Sequence, residues 1–130
     1  MPAPQLKVTE DDVDEQTHVL ALRGELDVAT VPRLADPLRE AIAAGKTAMV
    51  IDLGELTFLD STGLMVLLNG LRRVMRQGGN LVIVCTNPTV LRWFHVTRLE
   101  TTFDIVPTRS EALARMRADQ AGGSSAAGIP

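Results

Sequence analysis

Two hydroxyls stand side by side at Ser61 and Thr62, directly after the carboxylate of Asp60 and directly before Gly63. A serine in that setting has three chemistries open to it. As a hydrolase nucleophile it would need a neighbouring base and a sharp glycine-flanked turn. No Gly-x-Ser-x-Gly elbow surrounds Ser61, and neither His18 nor His95 falls in a loop at the right edge. As a helix N-cap its oxygen would accept from free backbone N–H groups. As a phosphoacceptor it would place a phosphate where those same N–H groups and the positive end of the helix dipole favour an anion. The last two roles are compatible. Phosphorylation adds roughly -1.5 to -2 charges at neutral pH, a change that a helix start tolerates and a protein docked on a neutral hydroxyl does not. Thr62 is the alternative acceptor. Asp60 either positions a kinase-bound metal or caps the loop, and Gly63 either admits a partner backbone or serves packing. Asp27, ahead of another helix, is a loop or capping carboxylate.

The elements that must position these groups follow from hydrophobic periodicity and turn residues. Gln5 to Thr9 reads as a short edge strand, followed by an acidic turn at Glu10, Asp11, Asp12, Asp14 and Glu15. His18 to Leu22 is a second strand that pairs with the first as a hairpin. Thr30 is placed to cap a helix carrying Val31, Leu34, Leu38 and Ile42, which Pro37 should kink or restart with Asp36 as a local cap. Ala48 to Leu53 is a strand covered on both faces. A helix from Ser61 or Thr62 to Gln77 sets Leu64, Leu67, Leu68, Leu71, Val74 and Met75 on one side. Asn69, Arg72, Arg73 and Arg76 fall on the other, a solvated face. Leu81 to Cys85 is a further buried strand. Asn87-Pro88 starts a helix to about Val96, Phe103 to Val106 is a last strand, and Thr108 with Glu111 boxes a helix to about Ala118. Of Trp93 and Phe94, one should pack in the core. The order ββαβαβαβα implies a mixed, mostly parallel sheet with an antiparallel N-terminal edge strand and helices packed on it. Because the second and third strands run parallel, the loops after them emerge at one edge, so Asp27 and Ser61 share a surface.

The bulk numbers exclude several classes. A chain of 130 residues with a net charge of -3 lacks the basic face that nucleic acid or an anionic membrane requires. No apolar run approaches the ~20 residues of a membrane-spanning helix. One cysteine allows no internal disulfide. The histidines and Cys85 show no metal-ligand spacing, and the glycines form no phosphate-cradling loop. The reading is therefore of a cytoplasmic protein with no metal, no cofactor and no catalytic residues.

The run Phe58-Leu59-Asp60-Ser61-Thr62-Gly63-Leu64 resembles the phosphorylatable serine loop of the anti-sigma factor antagonist (STAS domain) family, which reads Asp-Ser-Ser/Thr-Gly-Leu after a Phe-x. The Gly24-Glu25-Leu26-Asp27 stretch also agrees, and the resemblance spans roughly residues 5 to 118. It implies a single α/β STAS-type domain over residues 1–118, with residues 119–130 left as a disordered tail rich in Gly, Ser and Ala. It further implies an anti-sigma factor antagonist whose unphosphorylated form binds an anti-sigma factor serine kinase and so frees a sigma factor. That kinase would phosphorylate Ser61 from ATP and magnesium, and a PP2C-type phosphatase would reset it. The partner surface so implied comprises Asp27, Asp60, Ser61, Thr62, Gly63, Leu64 and Met65. Met65 departs from the family, which often has a small residue there, and an exposed methionine would alter that surface. The competing readings are a STAS scaffold whose serine is never modified and a small-ligand or nucleotide-binding module in a signalling or transport assembly.

Overall fold

The computed structural model describes residues 5–127, with side-chain surroundings for residues 5–119. Five strands, β1 (Leu6–Asp12), β2 (Thr17–Leu26), β3 (Ala48–Leu59), β4 (Asn80–Val84) and β5 (Asp104–Val106), form one sheet in sequential order. β1 is antiparallel to β2, and the remaining pairs are parallel. Helices α1 (Val31–Ala43), α2 (Ser61–Arg76) and α3 (Pro88–Val96) make the crossovers, and α4 (Arg109–Ala127) follows the last strand. Same-handed crossovers between strands added always on the same side must put their helices on the same face. Accordingly Leu34, Leu38, Leu67, Leu71, Val74 and Phe94 pack with Leu20, Ile51 and Ile83 on one face. The alternate residues Val19, Val50, Val82 and Val84 meet Ala112 and Met116 of α4 on the other. Of Trp93 and Phe94, Phe94 packs in the core, edge-on to the buried Phe103 with ring centroids 5.3 Å apart, while Trp93 is half-buried.

Several boundaries differ from expectation, the strand boundaries through contacts made by residues distant in sequence. β1 does not stop at Thr9 but runs through the acidic residues to Asp12, because buried His18 on β2 takes them as partners. Its Nε2 lies 2.8 Å from Glu10 and its Nδ1 3.2 Å from Asp12. β2 and β3 continue together past Leu22 and Leu53 to the pair Leu26 and Leu59, through bulges at Ala21/Arg23 and Gly24/Glu25. Gly54 to Leu59, expected as loop, is therefore strand, with Leu56 and Leu59 buried. Gly24 sits at φ 110°, where a Cβ would run into the carbonyl oxygen of Gln5. Pro37 neither stops nor restarts α1. A proline inside a helix, through the lost hydrogen bond and the ring clash, costs about 3 kcal/mol, whereas burying Leu38 and Ile42 beyond it is worth about 1.5–3 kcal/mol each. Asp36 pairs with Arg39 at 2.8 Å and caps nothing. Met75, expected on the apolar side of α2, is 57% exposed. A short 3-10 turn at Leu99–Thr101 was not anticipated. α4 carries on as helical backbone to Ala127, past the limit expected at Ala118. Residues 128–130 of the expected tail lie outside the described residues.

The hairpin end opposite Ser61 is held by charge. Lys46 Nζ lies 2.5 Å from Asp12, and this ammonium, then the His18 ring, hold the Asp12 carboxyl below its ordinary range. The Gln16 and Thr17 backbone N–H groups do the same for Asp14. Both folded-state values are lowered, so this stabilisation is complete above about pH 4 and is lost as pH falls below it. Lys46→Met should move the Asp12 midpoint, followed by carboxyl NMR, back up toward the ordinary value; an unmoved midpoint refutes the assignment. Gly24→Ala should lower stability by on the order of 1–3 kcal/mol from backbone strain alone, read as a reduced denaturant midpoint.

Candidate functional site

The edge that carries the hydroxyls is built by continuing one strand pairing. Leu26 and Leu59 are register partners, and Asp60 N donates to Leu26 O at 3.2 Å, so the residues that follow them, Asp27 and Asp60, emerge beside each other. Asp60 is extended at φ -114°, ψ -177° and is the N-cap of α2. Its Oδ1 accepts from Gly63 N at 3.0 Å and its carbonyl from Leu64 N at 3.1 Å. The capping role considered for Ser61 therefore falls to Asp60. Ser61 is the first helical residue and is exposed, and among the described residues no group holds its hydroxyl.

The other expected site residues divide by burial. Thr62 is half-buried and Met65 is 48% exposed. Gly63 and Leu64 are buried. A Cβ on Gly63 would meet Leu26 Cγ at 2.7 Å and Leu59 Cδ1 at 2.8 Å, so the glycine lets α2 lie on the sheet rather than admitting a partner. Neither Gly63 nor Leu64 reaches the surface expected of it; both support that surface from beneath.

Asp27 is committed to its own turn. Its Oδ1 accepts from Ala29 N at 2.9 Å and Thr30 N at 3.1 Å, which closes the approach to α1. Thr30 occupies the N-cap position of α1 without capping it. Its hydroxyl donates to Glu25 O at 2.8 Å and accepts from Asp27 N at 3.0 Å. The structure thus brings Asp27, Asp60 and Ser61 to one edge, with both carboxylates holding local geometry. Two residues absent from the expected partner surface stand at the same edge, Val28 at 72% and Phe58 at 42% exposure. Their signal in sequence was an apolar side chain next to the polar residues of a turn.

An open groove of about 450 Å³ lies on the α4 face, lined by Lys7, Arg23, Asp52, Glu55 and Arg109 among others. Its charges answer one another: Arg23 lies 3.3 Å from Glu55 and Arg109 3.1 Å from Asp52. Among the described residues no helix is long and apolar enough to cross a membrane.

Residues 4–112 match the family model of the STAS domain. The anti-sigma-F factor antagonist RsfB of Mycobacterium tuberculosis (strain H37Rv) is 32% identical over 99 residues, covering 76% of this chain and 80% of its own. A crystal structure of an anti-sigma factor antagonist from Mycobacterium paratuberculosis superposes with a TM-score of 0.80 at 31% identity, covering 87% of this chain and 95% of its own. The anti-sigma factor antagonist SpoIIAA, 26% identical, matches in its unphosphorylated form with a TM-score of 0.77 over 86% of this chain and 97% of its own. In its phosphorylated form, described as a Bacillus cell fate determinant, it matches at 0.69 over 84% and 98%. A sheet with one antiparallel edge strand, a serine at the start of α2 and these relatives agree: the chain belongs to the anti-sigma factor antagonist (STAS domain) family.

Proposed function

We propose that this protein is an anti-sigma factor antagonist switched by phosphorylation of Ser61. One observation carries the reading: Asp60 caps α2, which leaves the Ser61 hydroxyl exposed and unused by the fold. A kinase can take that hydroxyl without undoing the helix start. In the unphosphorylated state the edge offers a neutral hydroxyl among the exposed apolar side chains Val28, Phe58 and Met65, a surface suited to burial against an anti-sigma factor serine kinase. Phosphate on Ser61 adds charge beside Asp27 and Asp60, so the same surface becomes costly to desolvate and the partner leaves. A PP2C-type phosphatase restores the hydroxyl. The protein is a cytoplasmic substrate and switch, not a catalyst. Asp27, Asp60, Thr62 and Met65 frame the contact, with Gly63 and Leu64 beneath. The names of RsfB and SpoIIAA, and a SpoIIAA structure in a phosphorylated form, support this reading.

The capping geometry separates two substitutions. Asp60→Ala should cost about 0.5–2 kcal/mol of stability, while Ser61→Ala should stay within about 0.5 kcal/mol of wild type. Chemical denaturation measures both, and the reverse ranking would return the cap to Ser61. Ser61→Ala should also abolish phosphate incorporation by the cognate kinase; substantial labelling of Thr62 in that variant would overturn the acceptor assignment.

Ser61→Asp should keep the native circular dichroism spectrum and weaken anti-sigma factor binding by on the order of 1–3 kcal/mol. Calorimetry provides the test. Unchanged affinity for both Ser61→Asp and the true phosphoserine form would leave Ser61 without a switching role.

A further inference from the structure

Beyond Ser61, α2 keeps a continuous exposed ridge. Ser61, Met65, Asn69, Arg72 and Arg76 succeed one another at steps of three or four residues, and all are exposed. Such steps hold side chains on one helical face. The ridge climbs roughly 22 Å from its first residue to its last. Its character changes along the way, from hydroxyl to thioether to amide to guanidinium, with half-buried Arg73 beside the last two.

The charged end suits the helix dipole but is not neutralised by a carboxylate among the described residues. α2 contains no acidic residue, so none of its cations is answered along the helix. Arg23, Arg39, Arg109 and Arg115 pair with carboxylates; Arg33 donates to Leu6 O, and Arg92, Arg98 and Arg117 stand singly rather than in a cluster. Among the described residues no carboxylate comes within 4.0 Å of Arg72, Arg73 or Arg76. Like charges four residues apart cost a few tenths of a kcal/mol, which the dipole at the helix C-terminus offsets in part. On a chain of net charge -3 this is a local reversal of sign.

We propose that the partner docked at Ser61 runs along this whole ridge and meets Arg72 and Arg76 with an acidic surface. The inference rests on Ser61 marking the docking edge, and it adds the chemistry of the far end. The two ends then do different work. Ser61 lies well beyond the ~8 Å over which exposed charges interact at physiological salt, so phosphate there does not cancel attraction at the arginines. Phosphorylation should act on how long the partner stays, and the arginines on how fast it arrives.

Association kinetics of the full chain with the anti-sigma factor test this. Arg72→Glu/Arg76→Glu should slow association about tenfold at low salt and flatten its salt dependence. Arg72→Gln/Arg76→Gln should act in the same direction with less effect, and guards against misfolding of the charge-reversed form. Arg117→Glu, on exposed α4 across the sheet, should leave association unchanged. Ser61→Asp should speed dissociation and spare association. Equal loss in the Arg117 variant, or no loss in either double variant, overturns the proposal. Weakening by Ser61→Asp with both double variants silent sinks the acidic contact and leaves the Ser61 switch standing. A wild-type chain that binds no anti-sigma factor sinks both.

Discussion

A helix that begins two residues after a strand ends has to lay its first turn directly on the sheet, and here that contact leaves no room for a side chain. Gly63 rests on Leu26 and Leu59, the last paired residues of β2 and β3. A Cβ there would force the Leu26 and Leu59 side chains or α2 itself to shift. The cap, the Asp60–Leu26 backbone bond and the packing of Leu64 all depend on the same close approach. Ser61 projects into solvent because its neighbours on either side are held down.

The sheet explains why an event at this edge can leave the core alone. Strands added in sequential order place α1, α2 and α3 over one face, and α4 closes part of the other. The core runs up to Leu26 and Leu59, the last residues of β2 and β3, and the exposed Ser61 lies beyond it. Asp27 and Asp60 spend their side chains on backbone N–H groups of the turns that follow. Neither turn uses the Ser61 hydroxyl. A modification there therefore changes surface charge and little else, which is the physical requirement for a switch that alters partners without altering the fold.

The ends of α2 contrast in chemistry. Near Ser61 the surface is apolar and acidic, and about four turns further on it is basic, with no acidic residue in α2 to compensate. A helix with that polarity presents a direction as well as a face, so a partner that reads both ends can dock in one orientation only. Charge at the far end costs the isolated protein a little, and a complementary surface would recover it.

The sequence by itself determined the order of elements, the two-sided burial of β3 and β4, and the starts of α3 and α4. These follow from rules that act within a few residues. Asn87 Oδ1 accepts from Thr89 N at 2.9 Å with Pro88 at the first helical turn, and Thr108 Oγ1 accepts from Glu111 N at 3.1 Å. The placement of Asp27 and Ser61 at one edge was also legible, since parallel strands release their loops on the same side. What only the tertiary structure decided was which carboxylate or hydroxyl capped α2, how far β1, β2 and β3 ran, and whether Pro37 broke α1. Each turned on a partner far along the chain: Leu26 for Asp60 and Gly63, His18 for Glu10 and Asp12, and the core beneath Leu38 and Ile42 for the helix through Pro37. Local propensity ranks the candidates at such positions, but burial and hydrogen bonding across the sheet outweigh it by a kcal/mol or more.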